Sequence, residues 1–340
     1  MNTVTSINDS DSVDNHKEQN EVLLEVKGLR TYFFTEEGTV KAVEGIDLDI
    51  KKGETLGLIG ESGSGKTVTA LSILRLVPSP PAKIMSGTVI FEDQDLLKMP
   101  EKDMRKIRGG KISMIFQDPM TSLNPLYPVV DQIAENFRIH QNLDHEEAYT
   151  ESINMMSEVG IPDAEKRAKD FPHQFSGGMR QRIMIAMALS CRPALLIADE
   201  PTTALDVTIQ AQVLNLIDEL KRKLQTAVLY ITHNFAVIAE IADRIAVMYA
   251  GYIVEEHSCV GCFVNPAHPY TKDLLSSIPR VDRKLSRLEV IKGSIPNLVN
   301  PPTGCRFHPR CKDAMDICSQ VVPERLEIEP RHFVRCHLYG

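Results

Sequence analysis

No apolar run in this 340-residue chain approaches the roughly 18–20 residues that cross a bilayer, and residues 1–19 are polar and acidic with no hydrophobic signal core. The chain is therefore expected to be soluble and made in the cytosol. Excess positive charge is also missing. The 38 Lys and Arg against 46 Asp and Glu leave a formal charge of −8, which disfavours a general nucleic-acid binder. No internal repeat is present, which argues against a solenoid or a duplicated unit. Seven cysteines do not read as a secreted disulfide framework in that compartment, so any cluster of them points to metal or redox chemistry. What the chain does have is 43% hydrophobic and 25% charged residues, enough for one large buried core with appendages.

Residues 1–21 are rich in Ser, Asn and Asp and are expected to form a disordered tail. From 22 to 275 strand-like and helix-like runs alternate, which predicts an α/β domain with a mainly parallel sheet. Within it, about 118–180 lacks β-branched runs and predicts an inserted helical subdomain, including helices over Val129–His140 and Glu146–Glu158. Residues 276–340 are punctuated by proline and cysteine and are expected to form a small separate module.

The most specific feature is Gly60-Glu61-Ser62-Gly63-Ser64-Gly65-Lys66-Thr67, between the strand-like Thr55–Ile59 and the helix-like Val68–Leu76. This is a phosphate loop of a P-loop NTPase. Glycines let backbone N–H groups converge on phosphates, Lys66 reaches the β/γ oxygens, and Thr67 offers a hydroxyl to Mg²⁺. A second apolar run, Leu195–Ala198, ends in Asp199 and Glu200, where the first acid is expected to hold Mg²⁺ and the next to polarise the attacking water. Three pieces are weak alone. Gln117 follows the strand-like Lys111–Phe116 and can coordinate Mg²⁺ or sense the γ-phosphate. Ser176-Gly177-Gly178 opens a helix and makes a second anion site. His233 ends the strand-like Val228–Thr232 and offers a further γ-phosphate contact.

Together these residues resemble the ATP-binding cassette (ABC) family of transport ATPases over about Val22–Leu275. The matching elements are the phosphate loop, Gln117, the signature Phe175–Met179, Leu195–Glu200, Ala204-Leu205-Asp206 and His233. The resemblance implies a head-to-tail dimer in which Ser176, Gly177 and Gly178 of one cassette close on ATP held by the other, with Asp206 at the junction. It also implies an aromatic stacked on adenine, for which Phe33 fits better than Tyr32 or Phe34. The signature departs from the family pattern at Phe175 and Met179, and Asn234 follows the histidine where Asp is usual.

Gln117–Pro125, His268-Pro269-Tyr270-Thr271 and the cysteine-rich end look like the ATPases of dipeptide/oligopeptide importers, a group that also serves nickel. That resemblance implies two integral membrane permease subunits, a second similar ATPase or a homodimer, an extracytoplasmic solute-binding protein, and a peripheral place on the cytoplasmic face of the membrane. Nickel or another small solute is the alternative cargo, and a soluble non-transport ABC ATPase the alternative class. Cys305, Cys311, Cys318 and Cys336 match no short zinc-finger or ferredoxin spacing. They are similar to the C-terminal [4Fe–4S] motif of this subfamily, with zinc as the alternative. Cys259 and Cys262 are expected to be a chance pair, and Cys191 a packing residue.

Overall fold

A computed structural model describes residues 21–117, 122–203, 206–278, 291 and 293–340. The tail up to residue 20, Asp118–Thr121 and Ala204-Leu205 lie outside these residues.

The parallel centre of the molecule is made of short, near-continuous apolar runs: β3 (Thr55–Ile59), β6 (Ile112–Ile115), β7 (Leu195–Asp199), β8 (Ala227–Thr232) and β9 (Arg244–Tyr249). Strands buried on both faces need no polar alternation, and β3, β7, β8 and β9 are buried at every position. Alternate residues then feed two cores. Leu56, Leu58, Leu195, Ile197, Leu229 and Ile231 face one, while Leu196, Ala198, Val228 and Tyr230 face the other.

The first core lies under an antiparallel sheet of β1 (Val22–Thr35), β2 (Gly38–Lys51), β4 (Ala82–Phe91) and β5 (Gln94–Asp95), in the order β2-β1-β4-β5. The second is covered by helices. Among the described residues these are α1 (Lys66–Ile73), α2 (Glu101–Ile107), α3 (Val129–Gln141), α4 (His145–Glu158), α5 (Ala164–Arg167), α6 (Gly177–Leu189), α7 (Val207–Leu224), α8 (Phe235–Ile241), α9 (Cys259–Val264) and α10 (Pro269–Ser276), of which α1 and α2 instead serve the first core. The two helices expected in the middle stretch appear as α3 and α4. A capping box between Asp144 and Glu147 fixes the start of α4 one residue before the expected position.

The main sheet runs β11-β12-β10-β9-β3-β8-β7-β6, where β10 is Tyr252–Ser258, β11 Leu326–Glu329 and β12 His332–Val334. The register decides where the chemistry goes. Ile59 pairs with Thr232, Ile231 with Asp199, and Ala198 with Ile115. Gly60, His233, Glu200 and Gln117 therefore emerge together at the carboxyl edge of four adjacent strands, where ligands bind open α/β sheets.

The separate module expected beyond 276 needs correction in its contacts. β12 pairs with β10 and extends the main sheet, and Phe307 is buried against Tyr249 and Tyr270 in the cassette core. Arg306 donates to the carbonyl of Ala250 and pairs with Glu44. Proline and cysteine spacing reports where helices and strands break, not what the broken segment packs on.

Candidate nucleotide site

The phosphate loop keeps its shape because two glycines admit close backbone. A Cβ at Gly60 would stand 2.1 Å from the Met248 carbonyl, and one at Gly65, whose φ is 110°, would stand 2.4 Å from the Ala42 carbonyl. Gly65 also occupies the N-cap of α1 without any side-chain cap, so the N–H groups of the first turn stay available to an anion. The Lys66 ammonium is buried and donates to the carbonyls of Gly60 and Glu61 at 2.7 and 3.0 Å. Burial lowers its pKa, against the upward pull of Glu200, Asp199 and Glu61.

Asp199 is 2% exposed, and its Oδ1 has no partner among the described residues. Burial raises its pKa, and the hydrogen bond from Thr67 and the charge of Lys66 work against that rise. A buried carboxylate oxygen lacking a donor beside a threonine hydroxyl is a hard-oxygen set suited to Mg²⁺.

Glu200 sits at φ 46°, in the left-handed region that a glutamate seldom occupies, with its N–H bonded to the Ile231 carbonyl at 2.9 Å. Both of its carboxylate oxygens have partners. Gln117 and Thr203 donate to Oε2 at 3.1 and 2.9 Å, and His233 Nδ1 lies 3.0 Å from Oε1. Burial acts to raise the Glu200 pKa, but the hydrogen bonds from His233 and Thr203 outweigh it and hold the pKa below the usual carboxylate value. The group is thus ionised at neutral pH and fixed in direction. Gly60, Glu61, Ser62, Gln117, Glu200, Thr203 and His233 line one open cleft of about 960 Å³.

The remaining expected residues lie outside that cleft lining. Ser176 caps α6 by accepting the Met179 N–H at 3.3 Å, and Ser176 and Gly177 are exposed. Gly178 packs on α7, where a Cβ would meet Ile209 Cγ2 at 2.9 Å, whereas one at Gly177 meets nothing within 4 Å among the described residues. Asp206 caps α7 by accepting the Ile209 N–H at 2.9 Å. Phe33 is half-buried on β1 beside Val40 and Ala82, while the Tyr32 hydroxyl is committed to Glu44 at 2.7 Å.

The departures from the family pattern have local causes. Phe175 is buried with the Arg167 guanidinium 4.1 Å from its ring centre, Met179 offers its sulfur to the same arginine, and Asn234 caps α8.

Chain residues 43–203 match the family described as ABC transporter, and 254–318 match the oligopeptide/dipeptide transporter C-terminal region. The oligopeptide transport ATP-binding protein AppD of Bacillus subtilis is 52% identical over 317 residues, covering 93% of this chain and 97% of that protein. The chain belongs to the ABC transporter ATPases. This cassette is also similar to the oligopeptide transport ATP-binding protein OppD of Escherichia coli, 48% identical over 90% of each chain. Among solved structures, the dimeric cassette MJ0796 in a post-hydrolysis state bound to ADP and Pi superposes with a TM-score of 0.62. It is 26% identical and covers 69% of this chain and 98% of that one. Family membership makes this cassette an ATP-binding protein and an ATPase.

Three contacts at the cassette's phosphate loop are not legible in the sequence motifs. Thr203 is the third partner of Glu200. The Tyr270 hydroxyl accepts the Glu61 N–H at 3.0 Å, and Arg310 grips the Glu61 carboxylate at 2.7 and 3.1 Å. The only signal is that Tyr270 lies within the His-Pro-Tyr-Thr segment and Arg310 directly precedes Cys311.

The four terminal cysteines are free thiols. Burial pushes Cys305 and Cys311 up to about 11, and proximity of other thiols adds to the rise at Cys305, Cys311 and Cys336. The Cys318 sulfur accepts the Met315 N–H at 3.4 Å, and nearby backbone N–H groups act against the pKa rise at Cys305, Cys311 and Cys336. No three of them lie within 4.8 Å of one another among the described residues. Cys259 and Cys262 are buried thiols whose pKa burial raises, the environment of inert packing cysteines.

Proposed function

We propose that this chain is the ATP-hydrolysing subunit of an importer of dipeptides and oligopeptides. The carrying observation is the Glu200 carboxylate held by Gln117, Thr203 and His233 at the mouth of the phosphate loop. Relatives named as oligopeptide transport proteins, at 48–52% identity over at least nine-tenths of the chain, and the match to the oligopeptide/dipeptide transporter C-terminal region supply the cargo class. In this reading Lys66 and the open N-terminus of α1 bind the β- and γ-phosphates, and Phe33 stacks on adenine. Thr67, Asp199 and Gln117 hold Mg²⁺, which neutralises charge on the phosphate oxygens. Glu200 takes a proton from water as the water oxygen bonds to the γ-phosphorus and the bond to the β-phosphate oxygen breaks. His233 orients Glu200 and approaches the γ-phosphate.

Ser176, Gly177 and Gly178 complete the site of a partner cassette, with Asp206 at the junction. The exposure of Ser176, Gly177 and Asp206 outside the cleft lining supports this role in trans. Two permease subunits and an extracytoplasmic solute-binding protein complete the importer, and the cassette attaches to the cytoplasmic face through those permeases. Among the described residues no helix is long and apolar enough to cross a membrane, which agrees with attachment through protein.

The domain division proposed is a cassette over 22–275, with its helical subdomain at about 118–180, followed by a cysteine-bearing segment over 276–340. Cys305, Cys311, Cys318 and Cys336 hold a [4Fe–4S] cluster in this reading. Backbone N–H groups near all four sulfurs support ligating thiolates. Tetrahedral zinc, with Zn–S near 2.3 Å, would draw the sulfurs to within roughly 4 Å of one another. Zinc in that geometry is the alternative occupant of the same four thiols. When bound, the cluster cross-links a segment that is too short to bury a core of its own.

The test is the assembled complex in proteoliposomes. Binding protein loaded with a defined peptide should stimulate ATP hydrolysis and drive peptide uptake. Stimulation by nickel-loaded and not peptide-loaded binding protein would reject the cargo.

A further inference from the structure

Three neighbouring strands at the edge of the main sheet set a histidine, a histidine and a glutamate side by side. Glu329 on β11 pairs with His332 on β12, and His257 on β10 stands one residue beyond the Glu256–Phe333 pair. One ligand atom from each of His257, Glu329 and His332 falls within 4.8 Å of the other two. The imidazoles are parallel, with centroids 3.9 Å apart.

His332 is completely buried, and its Nε2 lies 2.9 Å from Oε1 of Glu255. That carboxylate is itself 1% exposed and fixed by the N–H groups of Ala267 and His268 at 2.6 and 2.9 Å. A carboxylate at Nε2 keeps the proton there and leaves Nδ1 with a bare lone pair. Among the described residues His332 Nδ1 has no partner, nor does His257 Nδ1. Two buried ring nitrogens without donors cost free energy unless something satisfies them. A carboxylate that orients a histidine through its second nitrogen is the outer-shell arrangement typical of a metal-bound imidazole.

We infer that His257, His332 and Glu329 form a site for one divalent cation of the zinc class, separate from the cysteine cluster. Two imidazoles and one carboxylate leave a fourth position to solvent on the exposed side of Glu329, a donor set that suits zinc. Binding turns the half-buried His257 ring out of the parallel stack toward an ion on Nδ1 of His332, whose ring Glu255 keeps in place, and the broad χ2 torsion of histidine permits this. The ion ties β10 of the cassette to the terminal β11–β12 hairpin.

The experiment uses the full chain with its cysteine site as purified. Cobalt(II) serves as a spectroscopic probe, and zinc is measured by equilibrium dialysis. The expected result is one ion per chain, with visible cobalt bands of nitrogen and oxygen ligation and none of the intense near-ultraviolet thiolate charge transfer. Glu329→Gln changes an exposed side chain and should fold normally. It and His257→Gln should each weaken binding about tenfold or more, the loss typical of disturbed metal shells, while Cys311→Ser leaves this binding in place. Unchanged affinity in both variants, an ion lost only on Cys311→Ser, or no saturable binding at millimolar free metal would each overturn the site.

Discussion

Glu61 belongs to the phosphate loop and Arg310 to the cysteine-bearing segment, 249 residues later, yet their side chains meet at 2.7 Å. The two regions are built differently. The loop is eight consecutive residues whose function resides in backbone N–H groups, two tightly packed glycines and the start of a helix. The terminal segment holds its place through side chains that reach across the chain: Arg306 to Glu44, Arg310 to Glu61, and Phe307 among Tyr249 and Tyr270. A local backbone device leaves a contiguous signature. A device made of distant side chains leaves single residues with no spacing to betray them.

The largest effect should fall on the local device. Glu200→Gln keeps the shape of the side chain and its contacts with Gln117 and Thr203 but removes the base, so hydrolysis by the assembled complex should fall about 10²–10⁴-fold. Nucleotide affinity should remain. Steady-state turnover and equilibrium nucleotide binding on the same preparation separate the two, and near-normal turnover would place the base elsewhere.

Gly177→Asp tests whether the signature belongs to the partner's site. Among the described residues a Cβ at Gly177 meets nothing within 4 Å, whereas one at Gly178 strikes Ile209 and adds a packing penalty of its own. The new carboxylate would face phosphate across the closed dimer, and a like-charge contact of that kind costs several kcal/mol. Hydrolysis should drop roughly 100-fold or more while the isolated chain binds nucleotide as before. A monomer that loses binding would return the signature to its own site.

Much of the nucleotide site was legible because register converts sequence into geometry. Strands β3, β6, β7 and β8 read as apolar runs, and the residue types after them name the edge of the sheet. The glutamate's third partner, Thr203, was not legible, because a threonine three residues after an acid is unremarkable until Glu200 adopts φ 46° and turns its carboxylate toward it. Asp206 and Ser176 were legible as family positions but not as helix caps, since capping depends on where α7 and α6 begin. The terminal segment was misjudged as separate because prolines hide the strand pairing of β12 with β10.

Arg310→Gln probes the long-range device. Arg310 is nearly buried and Glu61 is about a third exposed, so the loss of their paired hydrogen bonds should cost roughly 1–3 kcal/mol of stability. A double-mutant cycle with Glu61→Gln should show coupling above about 0.5 kcal/mol by chemical denaturation. Additive losses would mean that the Arg310–Glu61 pair adds nothing to what Phe307, Arg306 and the β12–β10 pairing already supply.

The smallest effect at neutral pH concerns His268, the N-cap of α10. It is fully buried, its Nδ1 accepts the Tyr270 N–H at 3.0 Å to cap α10, and its own N–H goes to Glu255. Burial pulls its pKa down to about 3, with a smaller push from the charge of Lys272. A histidine kept neutral in the fold but free to protonate when unfolded contributes no penalty above about pH 6.5. As the pH falls from there toward 3, the unfolded chain binds a proton that the folded chain refuses, and stability declines by up to roughly 1.4 kcal/mol per pH unit. His268→Asn retains a capping acceptor and removes the titration. Its stability at pH 7.5 should be lower by about 1 kcal/mol from lost packing, and its decline between pH 6.5 and 5 shallower than that of the parent chain. Urea midpoints across that range measure both, and parallel pH profiles would show that the acid sensitivity lies in other groups.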